Sequence, residues 1–197
     1  VLAAVTAAVA LDVPFQAIEQ GVAALEGVPG RFEVVSISGD DVWVVVDFAH
    51  TDDALRALLV SVRELGHGRL ITVFGCGGDR DRDKRPLMGA VAARLSELVI
   101  LTADNPRSED PARIISQIRQ GIVPTNTRAA GSEHIAIHDR AAAIDRAIAE
   151  AAPGDAVVIA GKGHEVDQQV GNERLPFDDR VVARAALERR RTRASLS

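Results

Sequence analysis

Ala156-Val157-Val158-Ile159-Ala160 is an unbroken apolar run of strand length, and it passes directly into Gly161-Lys162-Gly163-His164-Glu165. A short continuous apolar run bounded by turn residues is what a strand buried on both faces requires. The charged, glycine-bent string after it stands just past the carboxyl end of that strand, where open α/β sheets bind their ligands. A second stretch repeats the arrangement: Leu98-Val99-Ile100-Leu101 is apolar, and Asp104-Asn105-Pro106-Arg107 follows. Together the two strings offer both signs of charge to a small molecule.

Working outward from these runs, strands and helices alternate. The pattern predicts strand Val42–Val46, helix Asp52–Leu65, strand Leu70–Phe74, helix Arg85–Leu95, strand Leu98–Leu101 and helix Pro111–Gln120. It continues with strand Ile135–Ile137, helix Arg140–Ala151, strand Ala156–Ala160, a short polar strand near Val166–Val170 and helix Asp179–Arg191, after which the Arg-rich tail Arg189–Ser197 is expected to fray. Such alternation implies an α/β fold with a mainly parallel sheet and helices on both faces.

Residues 1–29 read differently. Val1–Leu25 has helical spacing, and Val1–Leu11 is alanine-rich, interrupted by Asp12 and Pro14, and far shorter than the ~20 residues a bilayer span needs. We read it as a buried helix. Gly27-Val28-Pro29-Gly30 is turn chemistry, so a domain boundary is expected there, with 1–29 on one side and 30–197 on the other. The chain begins with Val, and its first helix has no N-cap residue ahead of it, so we expect a fragment of something longer.

The 197 residues are 47% hydrophobic and 26% charged with a net charge of -5, the composition of a soluble globular chain without a broad nucleic-acid surface. One cysteine, Cys76, excludes an internal disulfide framework and any cysteine-rich metal site, which suits a reducing cytoplasm.

Each candidate has a plainer reading beside it. Gly75-Cys76-Gly77-Gly78-Asp79-Arg80 follows a strand like a phosphate-cradling loop, but Asp79, Asp81 and Asp83 would repel phosphate, and Asp79–Arg85 reads first as a self-neutralising surface loop. Arg80 is its member best placed to enter a site. Gly161-Lys162-Gly163 lacks the upstream glycine and the Ser or Thr of a P-loop, so any triphosphate must be held elsewhere. Asp47 and His50, in Asp47-Phe48-Ala49-His50-Thr51, stand where a ligand could be met, while Thr51 or Asp52 caps the next helix. His134 and His138 have the spacing of a helical metal pair, but the residues between them read as strand, so no metal site is assigned. Cys76 has no base near it in sequence and reads as a packed thiol. Asp104–Arg107 is at minimum an Asn-Pro turn. Arg107 after that rigid bend is also a preorganised fork for a carboxylate, with Asp104 and Glu165 available to an ammonium, and this pairing suits an amino-acid zwitterion.

Taken in order, Gly30-Arg31-Phe32-Glu33, Asp47–Thr51, Phe74–Met88, Asp104–Arg107, Asp139-Arg140 and Gly161–Glu165 resemble the Mur ligases. The resemblance covers nearly the whole chain, and the ordered set is specific where any single string is weak. It implies that 1–29 ends a central ATP-binding domain and that 30–197 is a Rossmann-like, amino-acid-binding C-terminal domain. Phe48 stands where the family often has Tyr, and Asp52-Asp53 where Pro-Asp is usual.

By resemblance, meso-2,6-diaminopimelate would be bound by Arg80, Asp104, Asn105, Pro106, Arg107, Gly161 and Glu165, and the nucleotide approached by Arg31, Asp47 and His50. No catalytic residue is assigned within the chain. The implied reaction is ATP-dependent amide formation on UDP-N-acetylmuramoyl-L-alanyl-D-glutamate through an acyl phosphate, with ATP and Mg2+ held mainly outside this chain. A monomer without nucleic-acid or membrane partners is expected. A related ligase adding L-lysine, a non-catalytic amino-acid-binding module and a dinucleotide-binding domain are the alternatives. Arg107 argues against the first of these, and the lack of a G-x-G-x-x-G opening a helix argues against the last.

Overall fold

Val44, Val45 and Val46 are all fully enclosed, as are Ile71, Val73 and Phe74 in the next run and Val157, Val158 and Ile159 near the end, so these strands are covered on both faces. The computed structural model describes residues 1–25, 27–122 and 133–195. Its elements are α1 (Leu2–Ala10), α2 (Phe15–Ala23), β1 (Glu33–Val34), β2 (Trp43–Asp47), α3 (Asp52–Glu64), β3 (Leu70–Phe74), α4 (Lys84–Leu95), β4 (Leu98–Leu101) and α5 (Pro111–Arg119). They continue as β5 (Glu133–Ala136), α6 (Arg140–Glu150), β6 (Ala156–Ala160), β7 (Asp167–Val170), β8 (Glu173–Pro176) and α7 (Asp179–Ala194).

The main sheet has the order β1-β2-β6-β3-β4-β5. From β2 to β5 every neighbouring pair is parallel, and β1 joins β2 antiparallel at the edge. Alternate side chains along each strand feed two separate cores. One face packs Val45, Phe74 and Val158 against Leu55 and Leu59 of α3, Met88 of α4 and Ile114 and Ile118 of α5. The other packs Val44, Val73 and Ile159 against Ile144 and Ile148 of α6 and Leu187 of α7. The loop after β3 therefore departs toward one face and the chain after β6 toward the other, although the two strands are neighbours. This is the topological switch point at which such sheets place ligands.

The helices start where side-chain caps allow. Thr51 Oγ1 accepts from Ala54 N–H, and Asp110, Asp139 and Asp178 cap α5, α6 and α7 in the same way.

Three expectations need correction. The stretch Val1–Leu25 is two nine-residue helices, separated at 11–14 where Asp12 takes a left-handed φ of 54°. The first is not buried: none of its residues is enclosed, Leu2 is 83% exposed, and α2 contributes only Ile18 to the interior. An apolar pattern states that a face seeks a partner without stating that the partner lies in the same chain segment. The Arg-rich tail does not fray from Arg189. The helix runs on to Ala194 because Arg189 pairs with Asp145, Arg190 with Asp41 at 2.7 Å and Arg191 with Asp40 at 2.8 Å. Residues 196 and 197 lie outside those described.

Candidate functional site

The turns that follow β3, β4 and β6 meet at the switch point and enclose a cleft of about 320 Å³. Its lining includes Arg80 and Lys84 from the first segment, Asp104, Asn105 and Arg107 from the second, Gly161 and Glu165 from the third, and His50 and Phe48 from the end of β2. Six of the seven residues expected to bind an amino acid thus share one cavity. Pro106 lies behind it, its carbonyl pressed so close to Gly78 that a Cβ there would sit 1.9 Å from the oxygen, which is why only glycine fits. Larger clefts of about 580 and 410 Å³ lie elsewhere, the first between α6 and α7 and lined by arginines already paired to Asp145 and Asp41. Convergent charge, not volume, distinguishes the switch-point cleft.

Two acidic side chains define one side of it. Asp104 is buried, and that burial pushes its carboxyl above the ordinary range despite the pull of Arg140 and Lys162. Gly161, at a φ of 117°, brings the chain so near that a Cβ would sit 2.7 Å from Asp104 Oδ2. Glu165 is half-buried, and burial works to raise its pKa, but hydrogen bonds from Lys162 and Asn105 outweigh this and hold it below the ordinary range. Both bonds fall on one oxygen: Lys162 Nζ donates to Oε2 at 2.9 Å and Asn105 Nδ2 at 2.8 Å. Oε1 takes no hydrogen bond from a described residue and remains available to a ligand. The result is one oxygen fixed to the protein and one without a donor among the described residues.

Two guanidinium-bearing residues, Arg80 and Arg107, line the same cleft. Arg107 has a left-handed φ of 50°, and its Nη1 donates to Gly78 O at 2.8 Å, which leaves its other N–H groups uncommitted among the described residues. Arg80 is exposed at the mouth. The loop that carries it is held from beneath. Buried Arg85 donates to both oxygens of Glu109 at 2.9 and 3.0 Å and to Gly77 O at 3.0 Å. Asp79 in turn accepts from the Oγ and N–H of Ser108.

The three residues expected at a nucleotide are placed less uniformly. His50 lines the cleft, with its backbone carbonyl accepting from Lys84 Nζ at 2.7 Å. Arg31 lies over the Phe48 ring, 4.3 Å from its centroid, and His164 packs on the same ring. Asp47 spends both oxygens on backbone, accepting from Phe32 N–H and Ala49 N–H at 2.7 Å each. Lys162, the one lysine in a glycine-flanked string, cannot cradle a phosphate: it is fully enclosed and donates to Glu165, Asn105 and the Asp167 carbonyl. Residues 134 to 136 are strand, so His134 and His138 are not a helical pair, and no group of three metal-binding side chains occurs among the described residues. Cys76 is a packed thiol beside Met88, pushed up to about 12 by burial.

Sequence reasoning missed the layer under the cleft. Arg140 and Asp179 form a fully buried pair at 2.7 Å, and Arg140 also donates to Ala160 O at 3.0 Å and Ala103 O at 3.4 Å, where β6 and the β4 segment end. The pairing of Arg140 with an acid thirty-nine residues away leaves no local signal.

The Mur ligase glutamate-ligase domain matches residues 30–163. The chain belongs to the Mur ligase family. A relative in Gloeobacter violaceus, the UDP-N-acetylmuramoyl-L-alanyl-D-glutamate--2,6-diaminopimelate ligase, is 52% identical over 98% of this chain. The enzyme of the same name in Thermosynechococcus vestitus is 50% identical over 96% of it. A solved structure of a ligase with that name superposes with a TM-score of 0.74 at 45% identity, covering 96% of the chain. The fold extends further within the Mur ligase relatives, to a Yersinia pestis folylpolyglutamate synthase/dihydrofolate synthase at a TM-score of 0.56 and 25% identity. The chain spans 38% of the Gloeobacter protein's length. No described helix is long and apolar enough to cross a membrane.

Proposed function

We propose that this chain is the amino-acid-binding part of an ATP-dependent ligase that joins meso-2,6-diaminopimelate to UDP-N-acetylmuramoyl-L-alanyl-D-glutamate. The observation that carries the reading is the convergence of Asp104, Glu165, Arg80 and Arg107 on one cleft at the sheet's switch point. Diaminopimelate carries two ammonium and two carboxylate groups, and the cleft presents counter-charges of both signs. The names of the relatives agree with this substrate.

Within the proposal, Asp104 and the free oxygen of Glu165 take an ammonium group, while Arg107 and Arg80 take the carboxylate that L-lysine lacks. Holding the second amine at a fixed place lowers the entropy cost of its attack on an activated carboxyl group. The residues present do not fit a triphosphate or its metal, because Lys162 is enclosed and committed. ATP supplies the activation of the acceptor carboxylate from residues outside this chain, with Mg2+. Arg31 and His50 face the nucleotide side, and Asp47 acts there by fixing the backbone at Phe32 and Ala49. Residues 1–29 belong with the ATP-binding part, a division supported by the start of the family match at residue 30. The single thiol fits a cytoplasmic setting.

Calorimetric titration of the chain with meso-diaminopimelate and with L-lysine tests the reading. Heat from the former alone is the expected result, and equal binding of both would assign the cleft to a lysine-adding ligase. Absence of both heats in the chain and in the whole ligase would overturn the substrate assignment.

A further inference from the structure

The β7–β8 hairpin has no buried residue on either strand. A two-stranded hairpin is marginal on its own in water, so this one is held by what it touches. Its hydrogen bonds to the body converge on the segment that carries the recognition residues. Gln168 Nε2 donates to Asp104 O at 2.7 Å, and Gln169 N–H donates to Asn105 Oδ1 at 2.9 Å. Arg107 N–H donates to Gln169 O at 3.1 Å, and Gly171 N–H donates to Arg107 O at 2.7 Å. Lys162 adds a bond to the Asp167 carbonyl at 2.6 Å. Residues 105–107 thereby lie alongside β7 like a short extra strand, with Arg107 bridged to Val170.

Arg107 needs such a frame. Its φ of 50° is left-handed, a conformation that crowds the Cβ of an L-residue against the backbone. Both of its backbone polar groups are used by the hairpin, one on each side of the strained residue. Gly171, whose φ of 58° is itself left-handed, makes the hairpin turn that delivers one of those two bonds.

We infer that the β7–β8 hairpin is a positioning element that locks Arg107 in its left-handed conformation and so sets selectivity for an amino acid with a second carboxylate. The inference rests on the reading of the cleft as an amino-acid site, and it adds Gln168 and Gly171 as positioning residues.

The test compares Gln168→Ala, Gly171→Val and Gly171→Asn with wild type in the whole ligase. Space is open around a Cβ at Gly171, so only backbone conformation separates the last two variants, and Asn tolerates a left-handed φ where Val does not. Gln168→Ala and Gly171→Val are expected to speed hydrogen exchange at the Arg107 amide and to raise the KM for diaminopimelate about tenfold, a loss of about 1.4 kcal/mol. KM for ATP should stay unchanged, and Gly171→Asn should behave as wild type. Unchanged exchange at Arg107, or faster exchange with an unchanged KM, would overturn the inference, as would an equal loss for ATP and the amino acid. If wild type rejects diaminopimelate, the substrate reading falls separately, and the hairpin is judged on Arg107 exchange and on the KM of the amino acid that is accepted.

Discussion

Lys162 Nζ sits 2.9 Å from Glu165 Oε2, with the lysine fully enclosed and the glutamate a third exposed, so a hidden cation steers an acid that faces the cleft. Removing the cation while keeping its length, as in Lys162→Met, leaves Glu165 and Asn105 short of a partner. The expected cost is about 1–3 kcal/mol of stability. Glu165 is held below its ordinary pKa by Lys162 and Asn105 against burial, with Asp104, Asp167 and Arg140 also facing the pair. Its value therefore rises in the variant, as does that of Asp104, which Lys162 also pulls down, and the acidic limit of amino-acid binding moves to higher pH. Binding titrations of the two proteins from the acid range up to neutral pH check this, and an unmoved limit would show that Lys162 controls neither acid.

Arg107 combines a guanidinium that lines the cleft with a left-handed backbone, and two substitutions separate these features. Arg107→Ala and Arg107→Gly both remove the fork and should lower selectivity for diaminopimelate over lysine by on the order of 10²-fold. They should differ in stability, because glycine adopts the left-handed φ freely and alanine does not. Arg107→Gly is expected to melt higher than Arg107→Ala by an amount equivalent to about 1 kcal/mol. Equal melting temperatures would show that the residue relaxes out of that conformation.

Glu109 gives the fold an acid-sensitive point. Hydrogen bonds from Arg85, then from the Asp79 N–H, lower its carboxyl from 4.5 to about 2. A folded value below the unfolded one contributes stability that is complete above about 4.5 and is lost as pH falls through about 2. Thermal melts of wild type should therefore decline over that window, and Glu109→Gln should show a flatter decline from a lower plateau. A variant with the wild-type slope would place the acid sensitivity elsewhere.

Arg140 and Asp179 are both fully buried, so removing one strands the other. Arg140→Met alone is expected to cost about 3–5 kcal/mol in urea unfolding, whereas Arg140→Met with Asp179→Leu should recover at least half of the loss. Additive losses in the double variant would mean that the guanidinium's bonds to Ala103 and Ala160, not its charge pair, dominate.

How much of this was legible in sequence depended on where the partner of each residue lies. Leu70–Phe74, Leu98–Leu101 and Ala156–Ala160 are legible end for end, because a strand buried on both faces is almost wholly apolar, with Thr72 the one polar residue. β1 and β8 escaped, being short, exposed and polar. The charged strings at 104–107 and 161–165 announced a site because they follow strand ends directly. Neither the enclosure of Lys162 nor the supports at Arg85 and Arg140 could be read, since each depends on residues brought near only by the fold. The order of the helical tail is hidden for the same reason: Asp40, Asp41 and Asp145 are far away in sequence from the arginines they anchor.

The place of β6 between β2 and β3 bears on how the chain is made. During synthesis β2 and β3 emerge early, yet neither can pair with the other, because the strand that separates them arrives more than eighty residues after β3 begins. Until then two of the most apolar segments present unpaired edges, the condition under which nascent chains associate wrongly. The switch-point cleft is finished by the same late event, since Gly161 and Glu165 follow β6 directly. Gain of amino-acid binding during refolding should therefore coincide with closure of the sheet's centre and not precede it.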